Sequence, residues 1–206
     1  LYSQHALCII FLFILLPHLE FKQVNRIVSF GDPGMAGYLV EQDAFKLPHA
    51  INASTVIRGV NITTMGTYGR TMYLLAEDYS LYGYGSNAGQ QLLMDNATHS
   101  ILPIHVFNVL EWSKQHHLSI QPVTSLVMSN AYQTIHILSP TDFILGWGVN
   151  KKGTVGIGLA SPFVGTPSLL DFGSKDLLQF NLSMSSGYGH VLLVNQDDSS
   201  FYCWGN

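Results

Sequence analysis

The sequence predicts an all-β protein assembled from repeated units of short strands. Of its 206 residues, 47% are hydrophobic, only 11% are charged and 19 are glycine. This mixture is too apolar for a disordered chain and too rich in glycine for a helical bundle. The second observation is an internal repeat in which two apolar residues, a small residue, an aromatic residue and glycine follow one another. Together they indicate antiparallel strands joined by tight turns and glycine loops.

The motif occurs at 27–31, 81–85, 144–148 and 201–205, at intervals of roughly sixty residues. Other landmarks keep the same phase. Pro48, Pro103 and Pro167 follow the first three aromatics. An apolar strand precedes each of the last three and begins after Arg70, Gln133 and His190, which each lie fourteen residues before the aromatic. The repeated structural positions are the aromatic and the glycine of each copy: Phe30, Gly31, Tyr84, Gly85, Trp147, Gly148, Trp204 and Gly205.

Each motif position has a structural reason. A single sheet cannot bury both of its faces, so repeated units must pack face to face, and a large aromatic residue fills the wedge between two of them. The small residue before the aromatic (Gly83, Gly146 or Cys203) lets a neighbouring backbone approach. The glycine after it permits a positive φ and a sharp exit from the strand.

Three segments carry a resemblance to a known family: GTYGRTMYLLAEDYSLYGYGSNAGQQL, FILGWGVNKKGTVGIG and SSGYGHVLLVNQDDSSFYCWGN. They resemble repeats of the regulator of chromosome condensation family. The resemblance implies a partial β-propeller of about three four-stranded blades plus a partial repeat, in approximate units 22–47, 48–102, 103–166 and 167–206. The family usually carries seven blades, so we expect a fragment of a longer chain. His190 matches the family's usual histidine, which Arg70 and Gln133 replace in the other copies.

An apolar segment precedes the repeats. Every residue from Ala6 to Leu16 is apolar, which is too short for a stable membrane span but matches the hydrophobic stretch of a secretory signal. We therefore interpret residues 1–21 as a leader, with a buried strand or helix, or a membrane anchor, as alternatives.

Four glycosylation sequons begin at Asn52, Asn61, Asn96 and Asn181. With the leader they favour a secreted protein or one in the lumen of the secretory pathway. The alternative location is cytoplasmic or nuclear. Asn61 and Asn181 occupy equivalent places in the repeat and are also explained as ordinary strand residues.

The middle copy holds an insertion of about eight residues near 110–117. Insertions in repeat proteins often lie on the binding face, so this segment is a candidate partner-binding loop. Its candidate contact residues are Trp112, Lys114, His116 and His117. The alternative is a short solvated helix in which Val109, Leu110 and Trp112 cover the blade.

Catalysis, cofactors and metals are not indicated. The adjacent His116 and His117 would diverge in regular secondary structure, the glycines of 83–89 lack dinucleotide spacing, and Cys8 and Cys203 form no recognisable framework. A net charge of -4 and a pI near 6.1 disfavour nucleic-acid binding.

The sequence therefore predicts a protein-interaction scaffold in the secretory pathway, with an unidentified protein partner and no enzymatic activity of its own. One alternative, which the resemblance implies, is guanine-nucleotide exchange on a small GTPase. Another is that these repeats form an accessory domain of a larger protein.

Overall fold

Antiparallel sheets follow one another along the chain in sequence order. The computed structural model describes residues 28–31, 45–50, 57, 59–68, 70–118, 125–129, 134–139, 143–170 and 181–206. The predicted leader and Asn52 lie outside this part. Its elements are β1 (Val28–Gly31), β2 (Phe45–Ala50), β3 (Ile62–Tyr68), β4 (Thr71–Ala76), β5 (Ser80–Ser86), β6 (His99–Asn108), α1 (Val109–Gln115), β7 (Ser125–Ser129), β8 (Thr134–Ser139), β9 (Phe143–Val149), β10 (Phe163–Leu169), β11 (Leu182–Ser186), β12 (His190–Asn195) and β13 (Phe201–Gly205).

The strands form three blades and a preceding pair. We call β3–β6 blade 1, β7–β10 blade 2 and β11–β13 blade 3; β1 pairs with β2 ahead of them. Blades 1 and 2 are four-stranded meanders and blade 3 has three described strands, which confirms the predicted all-β, partial-propeller class. The expected unit boundaries after residues 102 and 166 fall inside β6 and β10, because the prolines that begin those units, Pro103 and Pro167, lie within the strands.

Strand register relates the blades residue by residue. Thr71 lies opposite Gly85, Thr134 opposite Gly148 and His190 opposite Gly205. The sequence alignment of His190 with Arg70 and Gln133 was therefore wrong by one residue. The cause is the hairpin of β12 and β13. Six residues separate its last pair, Val194 and Phe201, whereas five separate Leu75 and Leu81 in blade 1.

Two apolar cores lie between successive blades. Between blades 1 and 2, Tyr73 and Leu81 pack with Ile137 and Trp147. Between blades 2 and 3, Leu138, Ile144 and Leu170 pack with residues of β11 and β12. A third cluster, which includes Met72 and Tyr84, covers the other face of blade 1. Strands β4 and β5 are consequently buried on both faces, so their residues are buried continuously instead of alternately.

Candidate functional site

The blades present two opposite rims, which the hairpins define. We call one end the loop rim; it carries the turn at Arg70, the β5–β6 loop (87–98), the β9–β10 loop (150–162) and the 187–189 turn. The hairpin rim carries the turns between β4 and β5 and between β12 and β13, together with α1. Loops on a rigid scaffold are where binding residues concentrate, so these rims are the candidate functional surfaces.

A buried asparagine frames each long loop on the loop rim. The Asn87 Oδ1 accepts a hydrogen bond from the Leu92 amide at 2.8 Å, and the Asn150 Oδ1 accepts one from the Val155 amide at 3.0 Å. The Asn87 Nδ2 donates across its loop to the Met94 carbonyl at 2.9 Å. The Asn150 Nδ2 likewise donates across the second loop, to the Leu159 carbonyl at 2.7 Å. An asparagine at the equivalent position therefore holds each of the two loops in one conformation.

Inter-blade hydrogen bonds tie these loops to their neighbours. The Trp147 Nε1 of blade 2 donates to the Gln91 carbonyl of blade 1 at 2.7 Å, and the Trp204 Nε1 of blade 3 donates to the Thr154 carbonyl of blade 2 at 3.0 Å. The Tyr73 hydroxyl also donates to the Gln91 carbonyl. The repeated aromatic thus fills the wedge between blades and also anchors the preceding loop.

His136 occupies the register position of Tyr73 and ties down the second loop. Its Nε2 lies 3.1 Å from the Val155 carbonyl, its ring meets Trp204 edge to face, and its buried Nδ1 has no hydrogen-bond partner. Because burial disfavours the charged ring, the pKa of His136 falls to about 4. Burial raises the pKa of Tyr73 well above its usual value, and a hydrogen bond with the Trp147 side chain offsets part of that rise.

The motif glycines behave as the sequence predicted. Gly85, Gly148 and Gly205 have φ angles of 102°, 105° and 110°. A Cβ on Gly146 would lie 2.9 Å from the Val155 carbonyl oxygen, closer than a real side chain sits. Phe30 and Gly31 lie in β1, and the Phe30 side chain is outside the described part.

The insertion in the middle copy forms α1 on the hairpin rim. Asn108 caps it, accepting a hydrogen bond from the Glu111 amide at 3.0 Å. Trp112 is half-buried, packs on Phe143 and is stacked by His116 with ring centroids 3.8 Å apart. The alternative of a blade-covering helix therefore describes Trp112, whereas Lys114, His116 and His117 are exposed. A partner contact at α1 stays a prediction.

The three described sequons lie on both rims. Asn96 is exposed on the β5–β6 loop. Asn61 and Asn181 are exposed where β3 and β11 begin, and their Nδ2 atoms donate to the Glu77 and Gln196 side chains at 2.9 and 3.2 Å. These two have matching roles in their blades, as strand residues would, and the use of any sequon stays a prediction.

No group of three metal-ligating side chains occurs among the described residues. Cys203 is exposed and unpaired, and Cys8 lies outside the described part. Over the same part of the chain, no helix has the length and apolar character needed to cross a membrane.

No protein-family model and no curated protein sequence matches the chain significantly. Solved structures do match. Human WBSCR16 is similar over 87% of this chain and 43% of its own, with a TM-score of 0.65 and 19% identity. Prp20p from Saccharomyces cerevisiae, described with its binding to Gsp1p and histones, is similar over 87% of this chain and 39% of its own, with a TM-score of 0.65 and 16% identity.

Yeast RCC1 (Prp20) bound to Kap60 is similar over 91% of this chain and 45% of its own, with a TM-score of 0.61 and 16% identity. The chain spans less than half the length of each of these three solved chains. The likeness confirms the predicted propeller fold of the regulator of chromosome condensation type.

Proposed function

We propose, from the propeller fold shared with these proteins, that the chain is a protein-interaction scaffold with no chemistry of its own. The observation that carries this proposal is the framing of the exposed loops by buried side chains, Asn87 and Asn150 above all. A loop already held in one conformation loses little entropy when a partner binds it. Two of the similar structures, both of yeast Prp20, are described through the proteins that it binds.

Proximity labelling in cells tests the scaffold function. The wild-type chain, fused to a biotin ligase, should enrich a set of proteins that a surface variant loses. Two variants probe the two rims: Lys114→Ala with His117→Ala on α1, and Lys151→Ala with Lys152→Gly on the β9–β10 loop. All four residues are exposed, so thermal unfolding should not change. The proposal fails if the wild type and both variants label the same proteins as an unfused ligase.

We further propose that the scaffold acts in the secretory pathway. The exposed sequons Asn96, Asn61 and Asn181 and the predicted leader support this location. Expression in a eukaryotic cell should yield a chain whose mass falls on endoglycosidase treatment, with Asn96→Gln removing part of the shift. An unshifted chain recovered from the cytosol would refute the location and leave the scaffold function intact.

Guanine-nucleotide exchange is the second candidate, favoured by the binding of Prp20p to Gsp1p. Release of a fluorescent guanine nucleotide from a panel of small GTPases, measured with and without excess chain, separates the two functions. A scaffold leaves the release rate unchanged. A rate that rises with the concentration of the chain would establish exchange instead.

A further inference from the structure

We propose that the β9–β10 loop binds an acidic segment of a partner protein. Lys151 and Lys152 pair with its carboxylates, and Leu159 and Phe163 contact its apolar side chains. This inference rests on the proposed scaffold function and names the chemistry of the partner.

The β5–β6 and β9–β10 loops are held by equivalent asparagines but present different exposed residues. In blade 1 the two residues after the framing Asn87 are Ala88 and Gly89, whereas in blade 2 those after Asn150 are Lys151 and Lys152. Because the asparagine hydrogen bonds are equivalent, the lysines are not needed to hold the loop. They contribute surface charge to a frame that folds without them.

Charge is divided between the two rims of the described residues. The loop rim carries three cations and one carboxylate: Arg70, Lys151, Lys152 and Asp95. The hairpin rim carries five carboxylates and one lysine: Glu77, Asp78, Glu111, Asp197, Asp198 and Lys114. In a chain whose net charge is -4, the described part of the loop rim therefore attracts acidic groups, and the described part of the hairpin rim repels them.

The loop that carries the two lysines also carries exposed apolar side chains. Leu159, 71% exposed, lies on the same loop, and its carbonyl accepts a hydrogen bond from the Asn150 Nδ2 at 2.7 Å. Phe163 begins β10 where the loop ends and is 49% exposed, and Tyr188 on the adjoining turn of blade 3 is 72% exposed. Exposed apolar side chains flanked by charge are typical of surfaces that bind proteins.

Two adjacent lysines match the few carboxylates of a protein segment better than the many charges of nucleic acid or a membrane. Nucleic acid and anionic membranes are held by many cations along an extended field. Among the described loop-rim residues only Arg70 adds to the two lysines, and Asp95 opposes them. A short acidic and apolar protein segment uses both the charge and the exposed Leu159 and Phe163.

The test uses the whole chain and a short fluorescein-labelled peptide rich in glutamate and leucine, followed by fluorescence anisotropy. The peptide should bind, and the affinity should fall as salt rises from about 50 mM to about 300 mM because exposed ion pairs are screened. The variant Lys151→Ala with Lys152→Gly installs the blade 1 residues on the same frame. It should bind about tenfold more weakly, as expected for the loss of two exposed ion pairs.

Matched controls decide the outcome. Glu77→Gln with Asp198→Asn alters the opposite rim and should not weaken binding. Equal binding by the lysine variant, equal binding of a peptide with glutamine in place of glutamate, or tighter binding of a single-stranded oligonucleotide or of phosphatidylserine vesicles would each overturn the inference. If proximity labelling depends on α1 and not on the β9–β10 loop, the scaffold function stands and this inference fails.

Discussion

Replacing Trp147 by phenylalanine tests whether the motif aromatic holds two blades together. The indole is fully buried, meets Tyr73 and Phe107 edge to face and donates to the Gln91 carbonyl at 2.7 Å. Losing that hydrogen bond costs about 1 kcal/mol, because Gln91 keeps the Tyr73 hydroxyl and is not left unsatisfied. The smaller ring leaves a void of roughly 40 Å³, which at about 24 cal/mol per Å³ costs about 1 kcal/mol more. We expect a total near 2 kcal/mol.

Trp204 supplies the matched control for this substitution. It occupies the same register position in blade 3 and makes the same kind of hydrogen bond, but its ring is only half-buried. Since solvent fills the space that phenylalanine leaves, Trp204→Phe should cost less than about 1 kcal/mol. Urea unfolding followed by far-ultraviolet circular dichroism measures both. The reasoning fails if Trp204→Phe is the more destabilising, or if Trp147→Phe leaves the midpoint unchanged.

Three further predictions follow from buried or exposed positions. Since the pKa of His136 is lowered from 6.5 to about 4, the unfolded chain binds the proton more readily; stability should be full above pH 6.5 and fall by up to about 3 kcal/mol toward pH 4. Denaturant midpoints measured across this pH range should fall in the wild type and not in His136→Gln. The same pH dependence in both proteins would contradict the prediction. Gly85→Ala adds a clash with the backbone to a positive φ and should cost more than about 3 kcal/mol, whereas Gly153→Ala, also at positive φ but in open space, should cost about 1 kcal/mol in the same assay. Leu192→Ser with Phe201→Ser should lower self-association in sedimentation velocity, because the side chains are 38% and 69% exposed on one sheet face; a wild-type chain that stays monomeric at high concentration would refute this.

Residue type alone predicted the parts of the fold that only a few residue types can occupy. A φ near +100° selects glycine, so Gly85 and Gly148 were recognisable from the repeat. A wedge between sheets selects a large aromatic, so Trp147 was recognisable as well. The spacing of Val109 and Trp112, which lie on one face of a helix, likewise allowed a helix to be predicted for the insertion.

The features that the sequence did not predict depend on contacts between residues far apart in the chain. Asparagine is common in loops, and only the folded loop shows that Asn150 bonds to Val155 and Leu159. His136 resembles any strand residue until Val155 and Trp204 enclose it. The register of His190 depended on the length of one turn, which the spacing of the motifs did not reveal.

The Gln91 carbonyl has a consequence for how the molecule unfolds. It accepts from the Tyr73 hydroxyl of its own blade and from the Trp147 Nε1 of the next, so both of its lone pairs are used only when both blades are intact. Opening blade 2 therefore loosens the loop of blade 1, and stability is transmitted between nearest neighbours as in other repeat arrays. Amide hydrogen exchange of Leu92 and Leu93 should report the integrity of the adjacent sheet as much as that of their own.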